Sequence, residues 1–253
     1  MEPAEARQSS RQRSDLWQAQ MLRGTTPDGR TLFSQEHYEA LLRTYLDAGY
    51  AFLTLYQYLE DPLARRRKVV LLRHDVDKDF KRLTLFSEVE DALKVPATYF
   101  VRVHAAYNVF SYPHYRLLKR LLAAGHEVGL HSNFRQFAEL QGEDPLEVLA
   151  REAALLRAVL GRDYPGMAAH RDIDYLHNSI DLCQPRALEA AGLRYHAYQD
   201  DFFPPDMLYV NESFANFLDW GKVRPDRPIL EGKSAYILTH PHWWFRWCPN
   251  EAD

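Results

Sequence analysis

Five short apolar runs of this sequence end in the same few kinds of side chain. Residues 69–72 run into Arg73-His74-Asp75-Val76-Asp77, and residues 126–131 close on His131. Residues 165–171 close on His170 and Arg171. Residues 194–199 are followed by Asp200 and Asp201, and residues 235–239 by His240 and His242. Carboxylate oxygen and imidazole nitrogen are donors that hold Zn²⁺ and related metals, and they are also groups that move protons in hydrolysis. Taken singly, each has a plainer explanation. Asp77 or Asp79 can cap a following helix, Asp200 and Asp201 suit a turn, and His242 with Trp243, Trp244 and Trp247 can form an aromatic plug. The recurrence of one chemistry at five run ends points to a metal or hydrolytic site.

Such groups converge only if the runs are parallel strands. Residues 34–49 pattern as a helix, with Ser34 as N-cap, Tyr38, Leu41, Leu42, Tyr45 and Leu46 on one face, and Gly49 as the stop. Helical patterns also span about 79–95, 112–124 and 144–160. The last begins at Asp144-Pro145, ends before Gly161 and offers a core face of Leu146, Leu149, Ala153, Leu156 and Leu160. A shorter helix covers 185–191. Between the helices lie β-type runs at 69–72, 97–103, 126–131, 165–171, 194–199, 207–210 and 235–239. Strand–helix alternation of this kind builds right-handed βαβ units on a parallel sheet. The runs are apolar throughout, as strands covered on both faces are. A doubly wound open sheet and a closed barrel both satisfy this pattern. In either, the C-terminal strand ends share one mouth.

Composition narrows the function classes. The 253 residues are 46% hydrophobic and 26% charged, the balance of a globular protein, with a net charge of −4. That charge speaks against a phosphate-tracking nucleic-acid binder, and no GxGxxG or GxxxxGK[ST] follows a strand. Cys183 and Cys248 stand in no metal-type spacing and read as free thiols. No stretch has the apolar length of a membrane span, and residues 1–20 are polar and of mixed charge, so a cytoplasmic location is expected. The aromatic content of 13% suits a sugar-stacking cleft and an aromatic core equally. The expected division is a flexible tail (1–24), an N-terminal helical extension packed on the main domain (25–64), and an α/β barrel domain (65–253).

The motifs RHDVD at 73–77, ATYF at 97–100, GHEVGLHS at 125–132, HR at 170–171 and THPHWW at 239–244 occur in an order that resembles the polysaccharide deacetylase superfamily. The resemblance covers roughly residues 65–245 and is closest to a divergent branch with an RHDVD start. It implies a distorted (β/α) barrel of about seven parallel strands. It also implies roles: Asp75 as general base, Asp77 and His131 as metal ligands, His240 as the catalytic histidine, and Arg171 as the arginine that orients the catalytic aspartate. The superfamily's usual second metal histidine lies four residues after the first. Here that position is Arg135, and His170, at the next strand end, is the candidate for the missing ligand.

The implied activity is metal-dependent hydrolysis of an acetyl group from an N- or O-acetylated carbohydrate. The cofactor would be a divalent metal, Zn²⁺ first, with Co²⁺, Ni²⁺ or Fe²⁺ also suited to oxygen and nitrogen donors. Tyr107, Asp200, His242 and Trp243 are the expected substrate-binding residues. The partner is a carbohydrate or other small molecule, with no nucleic acid and no membrane. Two other readings are an amidohydrolase acting on a non-sugar C–N bond, and a catalytically inactive barrel that binds a glycan or a partner.

Overall fold

The computed structural model describes residues 33–170, 179–213 and 219–244. The expected tail, Arg171 and Cys248 lie outside the described residues. In chain order the elements are α1 (Gln35–Asp47), β1 (Ala51–Leu53), α2 (Leu55–Glu60), β2 (Val69–Val76), α3 (Leu83–Leu93), β3 (Thr98–Val101), α4 (Tyr112–Ala123) and β4 (Glu127–Ser132). There follow α5 (Phe134–Gln141), α6 (Pro145–Leu160), β5 (Gly166–Ala169), α7 (Pro185–Ala190), β6 (Tyr195–His196), β7 (Met207–Ser213), β8 (Asp219–Trp220), α8 (Arg227–Glu231) and β9 (Ser234–Thr239).

One sheet runs in the order β6-β5-β4-β3-β2-β9-β7-β8, and β1 also pairs with β2. All pairings are parallel except β7–β8. Seven parallel strands, β6 round to β7, therefore form a distorted (β/α) barrel that stays open between β6 and β7. Side chains of β9 and β2 reach across the interior to the residues that follow β6. Tyr236 donates its hydroxyl to the Ala197 carbonyl at 2.9 Å, and Arg73 Nη2 donates to the Tyr198 hydroxyl at 2.9 Å.

Period-2 geometry sorts each strand between barrel interior and outer layer. On β2, Val69 and Leu71 join an inner cluster with Phe100, Ala168, Tyr195 and Tyr236, while Val70, Leu72 and Val76 join the outer core under the helices. Parity then sends Arg73 and Asp75 inward and His74 outward. Gly129 on β4 is required by this packing: a Cβ there would stand 2.6 Å from the Phe100 ring and 2.7 Å from the Gly166 carbonyl.

Several helix ends form as the sequence suggests. The Ser34 side chain accepts from the His37 N–H, Asp144 accepts from Leu146 and Glu147 N–H, and Gly161 closes α6 at φ 63°. Other expectations change. Helix α3 starts at Leu83, not 79, because Asp79 Oδ1 accepts from the Lys81 N–H and holds 79–82 in a turn. Leu146 is 39% exposed, and the buried stripe of α6 runs instead through Val148, Leu149, Glu152, Ala153 and Leu156. Residues 25–64 were expected to be a helical extension. The described part of that segment supplies a strand as well, since Phe52 on β1 pairs with Val70. A capping box between Thr54 and Gln57 stops that strand and starts α2. Helix α1 buries Tyr38, Leu41, Leu42 and Tyr45 against the outer core. Cys183 is a buried free thiol. Among the described residues no helix is long and apolar enough to cross a membrane.

Candidate active site

The inward-facing residues at the C-terminal strand ends meet at one mouth. Asp77 follows β2, His131 is the penultimate residue of β4, and His170 directly follows β5. Their ligand atoms all lie within 4.8 Å of one another. His131 Nδ1 stands 2.9 Å from the Ala168 carbonyl. A carbonyl only accepts, so Nδ1 carries a proton and Nε2 is the ring nitrogen turned to the carboxylates. Nε2 lies 3.2 Å from Asp77 Oδ1 and 3.6 Å from Asp75 Oδ2. His170 Nε2 approaches the same Asp77 oxygen at 3.3 Å. Asp77 Oδ1 is buried and has no hydrogen-bond partner. One carboxylate and two imidazoles converging on one point are the donor set of a Zn²⁺-type site, and a cation there would pair the buried Asp77 oxygen. The residues fit the metal. Burial opposes the charge on Asp77, but His131 and His170 outweigh it and hold the carboxyl far below the usual range.

Arg135, at the position of the superfamily's usual second histidine, turns away from this cluster. On α5 its guanidinium lies 3.5 Å from Asp181 and 3.7 Å from Glu139.

Asp75 sits beside the cluster and is held by an arginine of its own strand. Arg73 Nε donates to Oδ1 at 2.8 Å and Nη2 to Oδ2 at 2.7 Å, with neither residue more than 3% exposed. The guanidinium lies over the Tyr198 ring, 4.3 Å from its centroid. Burial disfavours the Asp75 carboxylate, but Arg73 and His131 offset this and keep its pKa below the ordinary value. Arg73 thus makes to Asp75 the contact that was expected of Arg171, which lies outside the described residues. Two residues along a strand share a face, which places the guanidinium beside Asp75.

His240 follows β9. Its backbone N–H donates to Glu212 Oε2 at 2.7 Å, and its Nδ1 lies 2.9 Å from the same oxygen. Trp244 Nε1 donates to the other oxygen, Oε1. Burial works against charge on the His240 ring, but Glu212, Asp77 and Asp75 prevail and raise its pKa above the usual value. Glu212, on β7, was missed because the expected strand stopped at Val210. A charged residue two places beyond the buried Val210, on the same face of the strand, was the available signal.

The expected substrate-binding residues separate. The Trp243 ring stacks on His240 with centroids 4.4 Å apart and so lies at the mouth. His242 is close enough for Asp77 and His240 to act on its charge; burial pulls its pKa down to about 4, so it is neutral at pH 7. Tyr107 braces the backbone, donating to the Val76 carbonyl at 2.6 Å and accepting from the Arg102 N–H at 2.8 Å. Asp200 is not brought to the mouth. Its turn is tied by Asp201 to Arg65 at 2.7 Å, before the first residue of β2 and thus at the other end of the barrel. Trp244 is 1% exposed and packs against Phe33 and Phe86 as core.

No protein-family model and no curated protein matches the chain. Solved structures do. The Streptococcus pyogenes deacetylase PplD in complex with acetate is similar at 17% identity and TM-score 0.44, over 66% of this chain and 74% of that one. The chitin deacetylase of the fungal pathogen Colletotrichum lindemuthianum is similar at 16% identity and TM-score 0.38, over 68% and 73%. A polysaccharide deacetylase of Bacillus cereus is similar at 18% identity and TM-score 0.41, over 69% and 80%.

Proposed function

We propose that this chain is a metal-dependent hydrolase that removes an acetyl group from an N- or O-acetylated carbohydrate. The observation that carries this reading is the convergence of the buried Asp77 carboxylate with His131 and His170, whose ligand atoms all lie within 4.8 Å of one another. Asp77, His131 and His170 would hold the metal, Zn²⁺ first among those suited to these donors. When bound, a divalent metal there lowers the pKa of water to about 7 and polarises the acyl carbonyl.

The remaining roles fall to the chain's own side chains. Asp75, kept ionised by Arg73, takes the proton of the attacking water. His240 is anchored through Nδ1 to Glu212, which leaves Nε2 to give a proton to the departing amine or alkoxide. Arg73 orients Asp75, and Glu212 orients His240 and favours its protonated form. Trp243 offers a face for a sugar ring, and the neutral His242 a hydrogen-bonding group for a hydroxyl.

The test is elemental analysis of the full chain, purified without chelators, followed by acetate release from a panel of acetylated sugars with cyclic ureides as the counter-panel. About one transition metal per chain, lost in Asp77→Ala, together with acetate release, is the expected result. The reading fails if no metal binds after Zn²⁺ or Co²⁺ is added back, or if Asp75→Asn retains turnover.

A further inference from the structure

The residue after β3 is an arginine whose nearest anion is a carboxylate of the metal-ligand cluster. Arg102 reaches over the metal-ligand cluster with its side chain only 14% exposed. Nη2 donates to the Asn133 amide oxygen at 2.9 Å, and Nη1 stands 3.2 Å from His170 Nε2. The nearest carboxylate oxygen, Asp77 Oδ1, is 3.9 Å away, and Arg102 Nε is buried without a partner. Arg73, on β2, has a bidentate carboxylate instead. A largely enclosed guanidinium held by one long ion pair keeps donor capacity for an arriving anion. Its position is also fixed. The Arg102 N–H is held by the Tyr107 hydroxyl, which is bonded in turn to the carbonyl of Val76, the residue between Asp75 and Asp77.

We infer that Arg102 binds the acyl oxygen of the substrate and, after hydrolysis, the carboxylate of the released acetate. This rests on the hydrolase reading of the same site. A cation held by Asp77 draws on the one carboxylate near Arg102 and leaves the guanidinium free to pair with the oxygen that gains negative charge. The planar fork of N–H donors matches a carboxylate, which an ammonium or an amide does not.

The test is calorimetric titration of sodium acetate into the full chain, with and without Zn²⁺, for wild type, Arg102→Gln and Arg102→Met. The thermal midpoint of each variant checks its fold, and the Met variant keeps the apolar stem should the Gln variant not fold. The expected result is unchanged Zn²⁺ stoichiometry and acetate affinity weakened by at least about tenfold in the variants. Equal affinity in wild type and variants, or no acetate binding by wild type, overturns the inference. If a variant loses Zn²⁺, the metal-free comparison decides. A wild-type chain that binds no Zn²⁺ removes the metal-dependent reading, and its metal-free acetate titration still judges Arg102.

Discussion

Strand β2 carries two polar clusters, one on each face, and they are built differently. On the outer face His74 Nε2 meets Glu90 Oε1 at 2.7 Å, and His74 Nδ1 meets the Thr239 hydroxyl at 2.6 Å. Tyr38 donates to Glu90 Oε1 at 2.6 Å, and Tyr99 donates to Oε2. None of these five side chains is more than 1% exposed, and each has its partner within the cluster. On the inner face Asp77 Oδ1, Arg102 Nε and His242 Nδ1 are buried with none. A closed network fixes how elements pack, here α1 and α3 on β2, β3 and β9. An open one keeps bonding capacity for something that is not protein. Histidines and acids are common to both, so residue type alone does not tell structure from site. What separates them is whether the bonds are all made.

The largest expected effect is on the inner face. Asp75→Asn should cut turnover by about a thousandfold or more, in the range of lost acid–base catalysis. It should also destabilise the fold, because Arg73 loses a charged partner in a fully buried pair. Steady-state kinetics beside a denaturant titration separates the two effects.

On the outer face, Glu90→Ala should cost about 3 kcal/mol or more of stability, because Tyr38, Tyr99 and His74 lose a shared buried hydrogen-bond partner. Turnover per folded molecule should be unchanged, and a large fall in kcat for the folded variant would break the comparison. The pH dependence of stability tests the same residue. Burial disfavours the Glu90 carboxylate, but His74 and His126 outweigh it and lower its pKa. Its contribution is therefore present above the unfolded value of about 4.3 and lost as pH falls through the lower folded value. Glu90→Gln should flatten the acid limb of the stability curve.

Glu212→Gln should lower kcat by about a hundredfold at alkaline pH. The raised pKa of His240 holds its acid form above the ordinary imidazole value near 6.5, and activity falls as pH rises through it. Removing the charge moves that limb to lower pH, while a purely structural Glu212 would leave its position unchanged. The smallest effect is expected at Arg135. Arg135→Ala should change stability by no more than about 0.5 kcal/mol and leave metal stoichiometry intact, because the side chain turns toward Asp181. Metal loss in that variant would bring Arg135 back into the site.

Much of this was legible before any coordinates. The RHDVD run, His131, His170 and THPHWW stand at strand ends, and one mouth gathers strand ends. What periodicity did not resolve was which face each residue takes. Strands buried on both sides carry no apolar–polar alternation, so His74 and Asp75 looked alike in the sequence and belong to different clusters. Arg73 was read as part of a motif and not as the partner of Asp75, since a two-residue spacing becomes a contact only on a pleated strand. Glu212 and Arg102 stand just beyond the strongest apolar stretches. Asp200 shows the converse: a run end lies at the mouth only if the strand reaches it, and β6 is two residues long.

The pairing of β2 has a consequence for how the molecule breathes. Residues Val70–His74 are hydrogen-bonded to β9 along one edge, while β1 at 69–71 and β3 at 73–76 line the other. Amide protons so enclosed exchange with solvent only when the whole domain opens, whereas the two-residue strands β6 and β8 at the sheet's ends can open alone. The backbone that carries Arg73 and Asp75 therefore belongs to the slowest-exchanging unit, and the seam beside β6 to the fastest.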